Sequence, residues 1–201
     1  MHTSTPALPV ADHAPTSVST RAAALVAGIS LALMAVIAPL GLLVALPAGL
    51  TGPAALTVVV VATLDVVAGI ALYPVLKPGG VLLAQVASAL RVAYGAAFAV
   101  AAAFLLDPAD PDRFEATWDA ALFVFGVHLL AVGLAAVRAS GIPTWIGVLV
   151  LIAGGGYAVD AVSVALAPSA PLGLTQVAFV GEVVLLVWLI GWGGRRLAAI
   201  K

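Results

Sequence analysis

Cysteine is absent from the 201 residues, which excludes disulfides, thiolate metal sites and thiol catalysis. Charge is scarce too. Charged residues make up 8% of the chain, against about 25% in soluble proteins, too few to coat a water-facing surface. The net charge is −1 and the basic residues do not cluster, so there is no electrostatic footprint for nucleic acid. There is no HExxH and no histidine pair at metal-ligand spacing, and neither Ser88 nor Ser163 stands in a nucleophile elbow. No metal, cofactor or recognisable catalytic arrangement is expected.

What fills the chain instead is apolar. Hydrophobic residues reach 64%, beyond the roughly 45–50% that a soluble core uses, so lipid is the solvent that suits this composition. Val81 to Leu106 is the informative run. As a helix its roughly 26 residues reach about 39 Å, more than the roughly 30 Å hydrocarbon core of a bilayer. Arg91 lies inside it, too deep to snorkel out, at a cost of about 2.5–3.5 kcal/mol on the insertion scale. Such a residue needs a carboxylate partner on a neighbouring helix.

Residues 1–20 are rich in Ser, Thr, Pro and Ala without periodicity and read as a disordered tail. The expected fold is all-α: a polytopic membrane bundle of six transmembrane helices in a domain over 21–196, then a cytoplasmic tail over 197–201. The helices are expected at about 22–46, 52–76, 81–106, 119–137, 144–166 and 174–194, with a kink at Pro39. Ala24, Gly28 and Ala32 form a small-residue face suited to close helix contact. Asp112 and Glu115 fit a helix start ahead of helix 4, and the Gly154–Gly155–Gly156 run fits close packing or local unwinding in helix 5.

Six helices place Arg21, Lys77, Arg138, Arg195, Arg196 and Lys201 on one side. The other receives Arg113 among Asp107, Asp110, Asp112, Glu115 and Asp119. The positive-inside rule then puts both termini in the cytoplasm. Trp145 and Trp192 fall at the inner interface and Trp118 at the outer one, where aromatic belts belong.

Helices 2 to 6 each carry one ionisable group: Asp65, Arg91, His128, Asp160 and Glu182. Counted from the cytoplasmic ends, Asp65, Arg91, His128 and Glu182 lie within roughly 5 Å of one another in depth, near the midplane. Tyr94 and Tyr157 share that level, and Asp160 sits higher. An ion pair that only makes burial tolerable is the plain reading of Arg91. Three acids against one arginine leave surplus charge, however, to be protonated, hydrated or matched by a ligand. Arg91 is expected to pair with Asp65 or Glu182. Glu182, with Gly181 beside it, is the expected proton exchanger, and Tyr157 is expected to hold Asp160 one turn away. Helix 2 (LDVVAGIALYP) and helix 5 (VDAVSVALAP) also correspond, as the halves of an inverted repeat would.

LYPVLKP after Asp65, ASALRVAYGA around Arg91, FGVHLLAVGLAAVRASGIPTWIGVLVLIAGGGYAVDAV and GEVVLLVWLI together resemble the prokaryotic six-helix membrane proteins of domain-of-unknown-function family 4386. The resemblance covers about 21–196. It implies a six-helix integral membrane fold, with recurrent polar positions at Arg91, His128, Asp160 and Glu182, and implies no activity, substrate or cofactor. Two functions follow as expectations for a prokaryotic cytoplasmic (inner) membrane protein. One is a polar pocket of Asp65, Arg91, Tyr94, His128, Tyr157, Asp160 and Glu182 that binds or moves a small solute with proton linkage. The other is a structural or partner subunit whose buried charges only fix helix packing. Beyond the lipid bilayer and a small-molecule ligand, no partner is implied.

Overall fold

A computed structural model of the chain describes residues 19–106, 108–167 and 172–195. The expected tails over 1–20 and 197–201 lie almost wholly or wholly outside the described residues, as do residues 168–171 between the expected helices 5 and 6. The elements are α1 (Thr20–Pro39), α2 (Thr51–Leu76), α3 (Val81–Ala102), α4 (Pro111–Arg138), α5 (Thr144–Leu166), α6 (Thr175–Ala178) and α7 (Val180–Gly191), with no strand among the described residues.

Ser19 starts α1 by accepting a hydrogen bond from the Ala22 N–H. Pro39 does not end the run. A π-helical stretch, Leu40–Ala45, follows it and extends the apolar helix. Gly80, at φ 137°, turns the chain from α2 into α3. Helix α4 begins at Pro111 rather than near Asp119. Asp110 is its cap, accepting from the Arg113 N–H at 3.0 Å, and Pro111 occupies the first position, where its missing N–H costs nothing. The acidic segment ahead of the expected helix 4 is therefore largely the first two turns of that helix.

Five helical runs are long and apolar enough to cross a membrane: Thr20–Ala45, Thr51–Gly79, Val81–Leu105, Pro111–Arg138 and Thr144–Leu166. The sixth, Thr175–Gly191, is shorter and is interrupted at Phe179. Leu43, Leu56, Leu82, Ile152 and Leu166 point outward and are well exposed, an apolar surface far larger than a water-soluble monomer tolerates.

Contacts run α1–α2–α3–α4–α5–α7 and back to α1. The bundle is thus a closed ring of six helical columns. Three sets of small residues draw the columns together. Gly28 of α1 lies against Leu189 and Ile190 of α7, and Ala24 lies against Gly193 just beyond it. In α4 and α5, Gly126 faces the Gly154 carbonyl and Gly133 faces the Gly147 carbonyl, each pair reciprocally. The seven-residue spacing on both helices is the register of a shallow left-handed crossing. Of the glycine triplet, Gly154 alone makes this contact; Gly155 faces open space and Gly156 meets only Ala178.

Candidate functional site

The third set of small residues builds the site. Gly69 of α2 faces the Arg91 Cβ, and Gly95 of α3 faces the Asp65 Cβ. Each charged residue is thus met by the glycine that stands four positions after its partner. Side chains at both places would hold the helices apart; their absence lets Arg91 reach across. Its Nη2 donates to Asp65 Oδ1 at 2.7 Å, with both side chains almost wholly buried. This is the one ion pair among the described residues, and it answers the choice between Asp65 and Glu182 in favour of Asp65.

His128 completes the arrangement from α4. Arg91 Nη1 lies 3.1 Å from His128 Nε2, and His128 Nδ1 lies 2.7 Å from the Ala87 carbonyl. An arginine and a carbonyl fix the ring between them: guanidinium can only donate, and carbonyl oxygen can only accept. His128 is therefore neutral, with its proton on Nδ1, and Nε2 accepts from Arg91. The Arg91 guanidinium also lies over the Phe125 ring, 5.3 Å from its centroid. Its Nε is buried without a partner.

This network forms one wall of a cavity of about 500 Å³ at the centre of the ring. Asp65, Arg91, Tyr94, Tyr157 and Glu182 all line it. Tyr94 accepts from Trp118 Nε1 at 3.1 Å, so the half-buried Trp118 turns toward the cavity. Trp145 and Trp192 are exposed. Phe125 packs between Tyr94 and Tyr157, with ring centroids 4.7 Å and 5.1 Å away. Tyr157 sits beside Glu182, not against Asp160 as its three-residue spacing suggested. Glu182 is half-buried, in the first turn of α7, and forms no ion pair. Ala35, Pro39, Phe179 and Val183 line the cavity yet remain exposed. They place its mouth between the second half of α1 and the α6–α7 segment.

Two of the expected residues stand elsewhere. His128 lies behind Arg91, out of contact with the cavity. Asp160 belongs to a different construction. Its Oδ2 accepts from the Thr175 N–H at 2.9 Å and from the Thr175 hydroxyl at 2.5 Å. Ser163 donates to the Asp160 carbonyl at 2.8 Å and accepts from the Leu172 N–H at 3.1 Å. Asp160 and Ser163 thus fasten the connection into α6. The corresponding acids of helices 2 and 5 do different work, one in an ion pair and one in a chain anchor. The residues that depth counting missed are aromatic or hydroxylic: Trp118, Phe125, Phe179 and Thr175. A Trp and a Phe spaced seven apart on α4 were the available signal.

The geometry supports binding. A polar wall, an unpaired carboxylate and aromatic faces converge on one open cavity. Among the described residues no three His, Cys, Asp or Glu side chains gather as metal ligands. The description "Domain of unknown function (DUF4386)" belongs to a family that matches residues 111–193, which carry α4 to α7 and with them His128, Tyr157, Asp160 and Glu182. An uncharacterized protein of Archaeoglobus fulgidus is 31% identical over 137 residues, covering 68% of this chain and 81% of its own length. No solved structure matches. With a relative of that extent, and a family match over α4 to α7, the chain belongs to the DUF4386 family.

Proposed function

We propose that the protein is a multi-pass protein of the prokaryotic cytoplasmic (inner) membrane, with both termini in the cytoplasm, that binds or moves a small solute in the central cavity, with proton linkage at Glu182. Arg21, Lys77, Arg138 and Arg195 gather at one end of the helices and the acidic start of α4 at the other, which supports this orientation. The observation that carries the reading is the unequal treatment of the buried charges. Asp65, Arg91 and His128 satisfy one another. Glu182 is left over, with cavity space in front of it and no cation to match it.

The paired half of the cluster favours the other reading, a subunit whose charges fix helix packing. Asp65, Arg91 and His128 do serve that end. A purely structural design gives no reason for an acid at position 182 or for the open volume beside it.

The test is infrared difference spectroscopy between acid and neutral pH on protein reconstituted in lipid. Wild type is expected to show a titrating carboxyl band that Glu182→Gln removes. If no carboxyl titrates, or if the variant keeps the whole signal, the proton-linked reading fails and the structural one stands. Because the chain has no cysteine, single cysteines at positions 4 and 201 can report the sidedness of the termini; labelling from opposite sides would end the six-span topology.

A further inference from the structure

The charge and lining of the cavity carry a statement about what enters it. We propose that the ligand is a lipophilic monovalent organic cation that exchanges with a proton on Glu182. The proposal rests on the solute-binding reading above and names its substrate class.

The groups that face Glu182 decide the sign. From α2 comes Asp65, negative; from α3 come Arg91, positive, and neutral Tyr94; from α5 comes neutral Tyr157. His128 of α4 lies behind Arg91 and is neutral. The stretch of α1 that lines the cavity contributes Leu31, Met34, Ala35, Ala38 and Pro39, without charge. Asp65 and Arg91 cancel at 2.7 Å. An ionised Glu182 therefore leaves the cavity with one uncompensated negative charge in a poorly solvated place, which a proton or a ligand cation can balance.

An anion is disfavoured for a separate reason. Arg91 Nη1 and Nη2 are already directed at His128 and Asp65, and its Nε is buried out of contact. Asp65 thus already matches the charge of Arg91, the one cation lining the cavity among the described residues, and an entering anion would also meet the carboxylate of Glu182.

The rest of the lining suits the body of an organic cation. Tyr94, Trp118, Phe125, Tyr157 and Phe179 supply aromatic rings, whose faces attract cations. Leu31, Leu122 and Leu186 supply aliphatic surface. The mouth, between α1 and α7, lies on the outward side of the ring, where a lipophilic cation dissolved in the membrane would arrive. Asp112, Glu115 and Asp119 line a separate groove between α4 and α5, and their charge raises the local concentration of cations at that end of the bundle. The exchange balances simply: the protonated Glu182 carboxyl gives its proton to water, and its carboxylate becomes the counter-ion of the bound cation.

The experiment compares tetraphenylphosphonium with tetraphenylborate, ions of similar shape and opposite charge, on the full-length protein in detergent. Calorimetry and tryptophan fluorescence report binding, and a pH indicator in weakly buffered solution reports proton release. Phosphonium is expected to bind and to release up to one proton per ion, and borate to bind at least about tenfold more weakly. Glu182→Gln is expected to lower phosphonium affinity at least about tenfold and to abolish the proton release. Glu182→Asp, which keeps the charge, is expected to retain both and so to separate charge from packing. Borate binding as tightly as phosphonium, or Glu182→Gln keeping full phosphonium affinity, would overturn the proposal. A titrating Glu182 band without phosphonium binding would overturn the cation class alone and leave the proton-linked reading standing.

Discussion

Asp160 grips Thr175 twice, accepting from its backbone N–H at 2.9 Å and from its hydroxyl at 2.5 Å, across fifteen positions of chain. The short α6 has no length of its own to secure it, so this carboxylate fixes where the last column begins.

Thr175→Val keeps the backbone bond and loses the hydroxyl bond, at an expected cost of about 1–2 kcal/mol; Asp160→Ala loses both, at about 2–3 kcal/mol. Unfolding by denaturant in mixed micelles measures each. Both variants are expected to keep the Glu182 carboxyl signal. Loss of that signal in an Asp160→Ala protein of native stability would instead place Asp160 in the site.

Asp65 and Arg91 are expected to behave as a unit. Removing one leaves an uncompensated buried charge, so Asp65→Ala or Arg91→Met alone should cost about 3–5 kcal/mol, and the double variant should cost much less than the two added together. Additive single and double effects would show that the pair has no coupling.

The ring of His128 is a spectroscopic prediction. Nitrogen-15 spectra of labelled protein near neutral pH should show Nδ1 protonated and Nε2 bare, because Ala87 accepts and Arg91 donates. The opposite tautomer, or an imidazolium, would contradict the network.

Glycines of one type should divide by what they face. A Cβ on Gly133 would stand 2.8 Å from the Gly147 carbonyl oxygen, and one on Gly95 would stand 3.0 Å from the Ala62 carbonyl oxygen, whereas one on Gly155 would meet nothing. Gly133→Ala and Gly95→Ala are expected to destabilise by about 1–3 kcal/mol. Gly155→Ala is expected to be neutral or stabilising by up to about 1 kcal/mol, from helix propensity. The same thermal or denaturant melts compare all three, and equal effects would deny the packing argument.

Much of this was legible in the chain. Apolar length located the helices, and depth counting brought Asp65, Arg91, Tyr94, His128, Tyr157 and Glu182 to one level, because rise per residue is nearly constant in a helix. Rotation about the axis is what counting cannot supply. Asp160 and Tyr157 share a helix face by spacing, yet Thr175 claims the first and the cavity holds the second, a choice made by the position of α6. Trp118 reads from its type alone as an interface residue, and its bond to Tyr94 and its packing on Phe98 and Phe114 turn it inward. The start of α4 was obscured by its acids, which suit the first turns of a helix as well as they suit a loop. The glycines four residues after Asp65 and Arg91 did carry a readable signal: two charges on neighbouring helices, each with a gap prepared for the other.

Arg21 illustrates how chain order bears on the finished ring. Its guanidinium donates to the carbonyls of Leu189 and Ile190, in the last turn of α7, and of Gly193 just beyond it. Those acceptors lie 168 to 172 positions later. During synthesis, then, the first helix waits with its seam open until the last one has left the ribosome. Until that moment the cavity has only five walls, and a chain cut short before α7 has nothing with which to close them.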